Sequence, residues 1–184
     1  MTTHHRTTAE HRLQEFACHP EAGYQPEAGF TLMELLIVMS IMLIIMAFAV
    51  PQMLKVKKNA NQTSALQSVR VINSAEFQYN AAYQGFGCPL SVLGGDPKAG
   101  SASPEGAQLL DPTLAATGHK SGYVFTVTCG AKTTVNNQDK YNSFELTAVP
   151  ETVGKTGDYG YCSDENNAIK YDPTGGTNCT QPVQ

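Results

Sequence analysis

Residues 29–51 read GFTLMELLIVMSIMLIIMAFAVP, and this stretch decides the fold. The segment after Gly29 is apolar and long enough to cross a membrane as a helix, and its single charge is Glu34. A carboxylate in hydrocarbon is disfavoured by roughly 2.5 to 3.5 kcal/mol, which indicates a function and a partner. If the chain is cut after Gly29, the new amino group of Phe30 lies within about one helical turn of Glu34. We therefore expect Glu34 to bind the amino terminus of a neighbouring copy, so that the segment polymerises.

The same residues carry a family resemblance. The run Gly29-Phe30-Thr31-Leu32-Met33-Glu34, followed by an apolar helix with Pro51 at its far end, resembles the type III signal sequence of type IV pilins and type II secretion pseudopilins. The resemblance implies that residues 1–29 are a leader, which a prepilin peptidase removes after Gly29. It also implies that the same enzyme methylates Phe30, that Glu34 directs assembly and that Pro51 kinks the helix.

The resemblance also implies a cellular setting. The subunit is expected to wait in the inner membrane as a single-pass protein and then to join a homo-oligomeric helical filament. An inner-membrane assembly platform and a cytoplasmic ATPase are the implied partners. The ATPase is expected to supply the energy, because this chain has no G-x-x-x-x-G-K-[ST] phosphate loop of its own. The filament is expected to be an extracellular type IV pilus for adhesion, motility or DNA uptake. The alternative is the periplasmic pseudopilus of a type II secretion system.

An ordinary secretory signal is a further alternative for this stretch. Ala47-Phe48-Ala49 resembles a signal peptidase site, and a cut after Ala49 would release a soluble secreted binding domain that begins at Val50. Pro51 would crowd that scissile bond, and a glutamate is unusual in the apolar part of a signal peptide. We therefore favour the cut after Gly29.

Length and charge limit what the rest of the chain does. Removing 29 of the 184 residues leaves 155, enough for an anchor and one modest domain. Without Arg6, Arg12 and the four leader glutamates, ten basic and twelve acidic side chains remain, a net charge of −2. The lysines past residue 100 are scattered along the chain, so no basic field for nucleic acid is expected.

The cysteines predict disulfides. Cys18 lies in the proposed leader, which leaves an even number in an exported domain, namely Cys88, Cys129, Cys162 and Cys179. Four cysteines allow three connectivities. We favour Cys88 with Cys129 and Cys162 with Cys179, because each bridge then ties an irregular segment to a predicted strand. None of the four has the close C-x-x-C spacing of a zinc site, so no metal site is expected.

A single long helix is predicted from about Thr31 to Tyr83. Residues 30–51 are apolar all round, which suits the core of a filament or a membrane. Residues 52–83 have one apolar stripe, made of Leu66, Val69, Ile72, Ala75, Tyr79 and Ala82. Ser40 is expected to bond back to its own helix. Pro51 removes a backbone donor, so a kink or a local break is expected there.

Beyond the helix, residues 84–121 are rich in glycine and proline and are predicted to form a connecting loop with a short helical turn near residues 112–116. Residues 122–184 are predicted to form strands at 123–128, 143–149, 159–162 and 168–171. The chain is therefore predicted to be α+β, with the amphipathic half of the helix on a disulfide-bonded, four-stranded antiparallel sheet. The resemblance implies the same arrangement, the type IV pilin fold.

Catalysis has little support in the sequence. After leader removal the only histidine is His119, so histidine-based triads are not available, and no enzyme activity is expected. Four carboxylates invite comparison with the calcium sites of some pseudopilins: Asp158, Asp164, Glu165 and Asp172. Their spacing does not match D-x-[DN]-x-[DN]-G, so we expect solvated turn carboxylates and no cofactor.

Overall fold

The computed structural model describes residues 29–96, 98, 100–135 and 138–183. Residues 1–28, and with them almost all of the predicted leader, lie outside the described residues. Helix α1 spans Leu32–Tyr83, so the predicted long helix is confirmed. The helix continues on both sides of Pro51. A local break at the proline, one of the two outcomes expected there, is therefore wrong.

The amphipathic stripe of α1 is buried over most of its predicted length. Val69, Ile72, Ala75 and Tyr79 all belong to the core. The two ends of the stripe were predicted less well, because Leu66 is half-buried and Ala82 is exposed. Ala65, one turn before Val69, takes the place of Leu66 in the core.

The strands form one large sheet and one separate hairpin. The large sheet is antiparallel throughout, in the order β1-β2-β5-β6-β7-β8, and β3 pairs with β4. In chain order the strands are β1 His119–Lys120, β2 Tyr123–Cys129, β3 Lys132–Val135, β4 Gln138–Tyr141, β5 Phe144–Pro150, β6 Gly160–Asp164, β7 Lys170–Asp172 and β8 Gln181–Pro182.

The predicted α+β fold is confirmed, but the sheet has six strands where four were predicted. The four predicted strands correspond to its centre, β2, β5, β6 and β7. The additional strands β1 and β8 have two residues each, too few for an alternating pattern to be visible in the sequence. β1 begins at His119, inside the segment that was assigned to the connecting loop.

The core lies on one face of the central strands. β2 and β5 pair so that Phe125 lies opposite Ala148 and Val127 lies opposite Leu146. All four side chains are buried and belong to the same cluster as the buried stripe of α1. The alternation of buried and exposed residues in these two strands is what a sheet with one covered face requires.

The connecting segment is pinned to this core. A 3₁₀ helix at Leu90–Leu93 buries both of its terminal leucines, and Leu110 is buried as well. Helix α2 follows at Pro112–Thr117, close to the predicted helical turn. The Asp111 carboxylate accepts a hydrogen bond from the Leu114 amide at 2.9 Å and so caps α2.

The two disulfides have the pairing that the sequence analysis favours. Cys88 bonds to Cys129 with Cα atoms 5.8 Å apart, and this bridge ties the connecting segment to the end of β2. Cys162 of β6 bonds to Cys179, just before β8, with Cα atoms 6.0 Å apart. Each bridge closes a loop of the unfolded chain and typically stabilises a small domain by about 2 to 4 kcal/mol.

Candidate processing and assembly site

The Gly29–Phe30 bond lies just before the helix. Neither residue is helical, and the Phe30 side chain is 83% exposed. A Cβ added at Gly29 would meet no atom of the described chain within 4 Å. The fold of this chain therefore has no need of glycine at this position. A requirement for glycine there would have to come from the enzyme that cuts the bond.

Glu34 and Thr31 form a capping box at the start of α1. The Thr31 amide and hydroxyl both donate to Oε2 of Glu34 at 3.0 Å, and the Glu34 amide donates to the Thr31 hydroxyl oxygen at 3.1 Å. The bonds are reciprocal, so two amides that the helix leaves unpaired find partners. The sequence signal was available, because Thr31-Leu32-Met33-Glu34 fits [ST]-x-x-[DE] before an apolar run. The interpretation of Glu34 as a charge without a partner in its own chain missed it.

The capping box places the carboxylate of Glu34 at the amino-terminal end of its own helix. The helix dipole favours a negative charge there. Cleavage would create an amino group on Phe30. That residue directly precedes Thr31, whose amide already donates a hydrogen bond to the Glu34 carboxylate. Glu34 therefore has an intramolecular partner, and pairing with a neighbouring subunit stays a prediction.

Residues 35–51, the rest of the apolar segment, form an exposed surface on which Ser40 is the one polar side chain. Every residue from Gly29 to Lys57 is exposed, and α1 includes a stretch long and apolar enough to cross a membrane. The Ser40 hydroxyl donates to the carbonyl oxygens of Leu36 and Ile37 at 3.0 and 2.8 Å. The prediction that Ser40 bonds back to its own helix is confirmed. Between residue 35 and Pro51, Ser40 is thus the one polar side chain, and its hydroxyl is bonded within the helix, so this stretch has little to oppose burial in hydrocarbon.

A second carboxylate, Glu76, was not singled out from the sequence. It lies on the buried face of α1 and is 0% exposed. Its Oε2 accepts a hydrogen bond from the Gly87 amide at 2.7 Å, and in the described part of the chain its Oε1 has no hydrogen-bond partner. Burial raises the pKa of Glu76 to about 8, although the bond from Gly87 opposes the shift. The sequence did contain a signal, since Glu76 lies four residues after Ile72 and three before Tyr79 on the apolar stripe.

Glu76 and its neighbour Asn73 fasten the helix to the rest of the domain. Asn73 donates from Nδ2 to the Ser163 hydroxyl at 2.6 Å and to Oδ1 of Asn167 at 3.0 Å. Gly87 sits so close to Leu93 that a Cβ would approach that side chain to 2.5 Å. A different packing of the helix would break these hydrogen bonds and leave further buried polar groups without partners, so the bonds favour the observed packing.

The four carboxylates considered for calcium lie in different surroundings. Asp158 pairs with the Lys58 ammonium at 2.8 Å, and Asp164 accepts from the Asn166 amide at 3.0 Å. Hydrogen bonds from the hydroxyl and amide of Thr174 lower the pKa of Asp172. Within residues 29–96, 98, 100–135 and 138–183, no three His, Cys, Asp or Glu side chains are grouped as a metal site.

His119 is exposed at the edge of the sheet. Its Nδ1 lies 2.9 Å from Oε1 of Glu151, which is also largely exposed. The pair joins β1 to the residue that follows β5. A histidine and a carboxylate in open solvent bind each other weakly, so the contact is a small surface interaction.

Comparison with known proteins identifies the amino-terminal segment. Residues 25–50 match the family model described as the prokaryotic N-terminal methylation motif. No curated protein and no solved structure matches the chain. The chain therefore carries the prepilin-type signal of type IV pilins and pseudopilins, which confirms the resemblance seen in the sequence.

The motif has consequences at a coarse level. It points to a structural subunit rather than an enzyme, and it implies processing by a prepilin peptidase and assembly into a pilus or a pseudopilus. Together with the one apolar amino-terminal helix, it fits a single-pass inner-membrane protein before assembly.

Proposed function

We propose that this chain is the structural subunit of a type IV pilus. In this proposal a prepilin peptidase cuts between Gly29 and Phe30 and methylates Phe30, and the mature subunit is held in the inner membrane by residues 30–51. An assembly platform driven by a cytoplasmic ATPase then extracts it into an extracellular helical fibre. The fibre serves adhesion, motility or DNA uptake.

One observation carries the proposal. An exposed, non-helical Gly29–Phe30 bond lies directly before a capped helix whose first turns are apolar and unburied by their own chain. Such a helix needs hydrocarbon or the helices of other subunits, because water disfavours its surface by about 25 cal/mol per Å². A subunit that is first stored in a membrane and then polymerised meets both needs in turn.

The disulfides favour a pilus over a pseudopilus. A surface fibre meets mechanical shear, and two bridges tie the connecting segment and the carboxyl-terminal segment to the sheet. Deletion of the gene separates the two candidates. Loss of surface fibres with normal protein export supports a pilin, whereas intact fibres with failed export would assign the chain to a pseudopilus.

The cleavage site is tested by replacing Gly29 with valine. We expect the variant to remain membrane-bound and longer by the leader, because the peptidase no longer accepts the site, while the fold is unchanged. Mass spectrometry of the mature protein gives the first residue and its methylation. Phe30 with a methyl group is expected. A chain that begins at Val50 would instead support the soluble secreted domain.

The role of Glu34 is tested by three variants that separate its charge from its cap. Glu34→Ala removes both, Glu34→Gln keeps an acceptor for the capping box but removes the charge, and Thr31→Ala removes most of the cap but keeps the charge. If Glu34 pairs with a neighbour's amino terminus, both Glu34 variants incorporate poorly beside wild-type subunits and Thr31→Ala incorporates well. Normal incorporation of Glu34→Gln would contradict charge pairing and leave helix capping as the role of Glu34.

A further inference from the structure

Four lysines line one groove at the start of the domain. Lys55, Lys57 and Lys58 follow the apolar segment in α1, and Lys155 belongs to the loop after β5. Leu54 and Gly154 lie between them in the same lining. These residues define the lysine groove. It joins two parts of the chain that are about one hundred residues apart.

The loop that carries Lys155 is held against α1 by hydrogen bonds. Asn61 donates from Nδ2 to the Thr156 carbonyl at 3.0 Å, and the Lys58 ammonium pairs with Asp158 at 2.8 Å. Within the loop, the amides of Lys155 and Thr156 both donate to the Thr152 carbonyl, at 3.1 and 2.9 Å. The backbone at Lys155 is therefore fixed beside the helix, although its side chain is exposed.

The lysine groove carries uncompensated positive charge. Lys58 is paired with Asp158, and Glu151, four residues before Lys155 in sequence, contacts His119. Lys55, Lys57 and Lys155 are exposed, and none of them takes part in the ion pairs found in the described ranges. The groove lining contains no acidic side chain. Three free ammonium groups thus face solvent in a chain whose mature part is acidic overall.

The position of the lysine groove along α1 determines which layer of a membrane it would contact. Lys55 and Lys57 follow Pro51 by four and six residues, which is about 6 to 9 Å along a helix. The polar layer on each side of the hydrocarbon core is about 5 to 8 Å thick. With the hydrocarbon core ending at Pro51, the backbone of Lys55 lies in this layer and that of Lys57 at its outer edge, where both side chains can reach lipid headgroups. Val153, in the same loop as Lys155, is 55% exposed and adds an apolar side chain suited to this boundary.

We propose that the lysine groove binds the phosphate groups of anionic lipids and so seats the loop of Lys155 on the membrane surface. An ammonium group binds phosphate as a compact point charge, and three exposed lysines without an ion-pair partner in the described ranges line this one groove. The inference rests on the proposed membrane-stored state of the subunit. It holds for either face of the bilayer, because each can present anionic headgroups.

The test uses the mature chain from Phe30 in vesicles of neutral phosphatidylcholine or in vesicles rich in phosphatidylglycerol. Amine acylation followed by mass spectrometry gives the modification rate of each lysine. We expect Lys55, Lys57 and Lys155 to react about fivefold more slowly in the anionic vesicles, the effect of one basic residue at an anionic surface. The exposed Lys170 of β7 is the internal control and keeps its rate. High salt should remove the difference, since it screens exposed charges.

A matched pair of variants tests the contribution of the loop. Lys155→Glu should weaken the protection of Lys55 and Lys57 by anionic lipid, whereas Lys170→Glu should leave it unchanged. Both positions are exposed, so near-ultraviolet circular dichroism should show the same fold for both variants. Equal protection of Lys55 in the two variants would overturn the role assigned to the loop.

The same measurement of lysine protection distinguishes anionic lipid from other occupants of the lysine groove. Equal rates in both vesicle types overturn the proposal, and so does protection by inorganic phosphate in neutral vesicles without any effect of anionic lipid. Protection that rises with protein density and ignores lipid charge would assign the groove to a second copy of the chain. Resistance to alkaline extraction is measured first. A chain that is extracted from both vesicle types contradicts the membrane-stored state rather than the lysine groove.

Discussion

The two halves of α1 share one backbone conformation and have opposite surroundings. In the first half Leu43 is 69% exposed, whereas in the second half Ile72 is 0% exposed. The polar residues differ in the same way. Ser40 bonds only to carbonyls of its own helix, while Asn73 bonds to Ser163 and Asn167 across the domain. The second half is thus fixed by its own domain, whereas the first half is exposed among the described residues.

This difference explains why one helix serves two purposes. Each large apolar side chain gains about 1.5 to 3 kcal/mol when it leaves water. In residues 65–79 that gain is realised within the chain and stabilises the domain. Residues 30–51 are exposed among the described residues, so in the proposed function the same gain would be realised in hydrocarbon or among other subunits.

The largest expected effect comes from shortening one apolar side chain in each half. Ile72→Ala should destabilise the domain by about 2 to 5 kcal/mol, because it leaves a cavity in a well-packed core. Leu43→Ala should leave the unfolding free energy within about 0.5 kcal/mol of wild type, since surface substitutions seldom change it more. Denaturant unfolding of the mature chain in detergent, followed by tyrosine circular dichroism, measures both. Equal losses would show that the first half also supports the domain.

A pH series sharpens the comparison through Glu76. Its pKa is raised from 4.5 to about 8 by burial, so the unfolded chain releases this proton at lower pH than the folded chain. The contribution of Glu76 to stability is complete below pH 4.5 and is lost as the pH rises toward 8. Between those values the unfolding free energy is expected to fall by about 1.4 kcal/mol per pH unit, because the folded chain binds one more proton than the unfolded chain.

Glu76→Gln is the matched variant for this series. The amide keeps an acceptor for the Gly87 amide but has no proton to release, so its stability should lose the slope between pH 4.5 and 8. The same substitution at the exposed Glu145 of β5 should leave the slope as it is in wild type. A wild-type slope in Glu76→Gln would show that another group titrates in this window.

The sequence predicts the strongly periodic parts of this fold well. The long helix and the four central strands follow from patterns that extend over several residues, whereas the sequence left three cysteine pairings open and only favoured the one that the structure has. The hairpin of β3 and β4 was missed because Lys132–Val135 and Gln138–Tyr141 are mostly polar, each with a single apolar or aromatic residue at its end, and show no alternation. Lys132, Thr133, Thr134 and Asp139 are exposed and Tyr141 is only half-buried, so the hairpin gives little hydrophobic period to read.

In the candidate site, too, features carried by neighbouring residues could be predicted from the sequence, and features that depend on distant contacts could not. The positions of Gly29, Phe30 and Glu34 follow from local sequence, and the capping box could have been read from the same residues. The lysine groove could not, because Lys155 reaches Lys55 only through the packing of the loop on α1. The sequence shows that Glu76 is ionisable, but its raised pKa could not be predicted, because it depends on burial and on the hydrogen bond from the Gly87 amide.

A smaller effect is expected from the polar residues of the two halves. Asn73→Ala should cost about 1 to 3 kcal/mol, because the buried Ser163 hydroxyl loses its partner. Ser40→Ala should leave the unfolding free energy unchanged, since its hydroxyl bonds only to carbonyls that are already helical. Denaturant midpoints of the two variants at one pH give the comparison. A loss in Ser40→Ala as large as in Asn73→Ala would contradict the separation of the two halves.

The smallest effect is expected at the boundary between the halves, where Lys58 pairs with Asp158 at 2.8 Å. Both side chains are partly exposed, so Asp158→Asn should cost only about 0.2 to 1 kcal/mol of stability. The variant also frees Lys58, which adds a fourth unpaired ammonium to the lysine groove. Protection of Lys55 and Lys57 by anionic lipid should therefore increase while stability falls slightly. If both quantities fell together, Asp158 would act mainly by holding the Lys155 loop on α1, and the loop rather than the charge would govern how the groove meets the membrane.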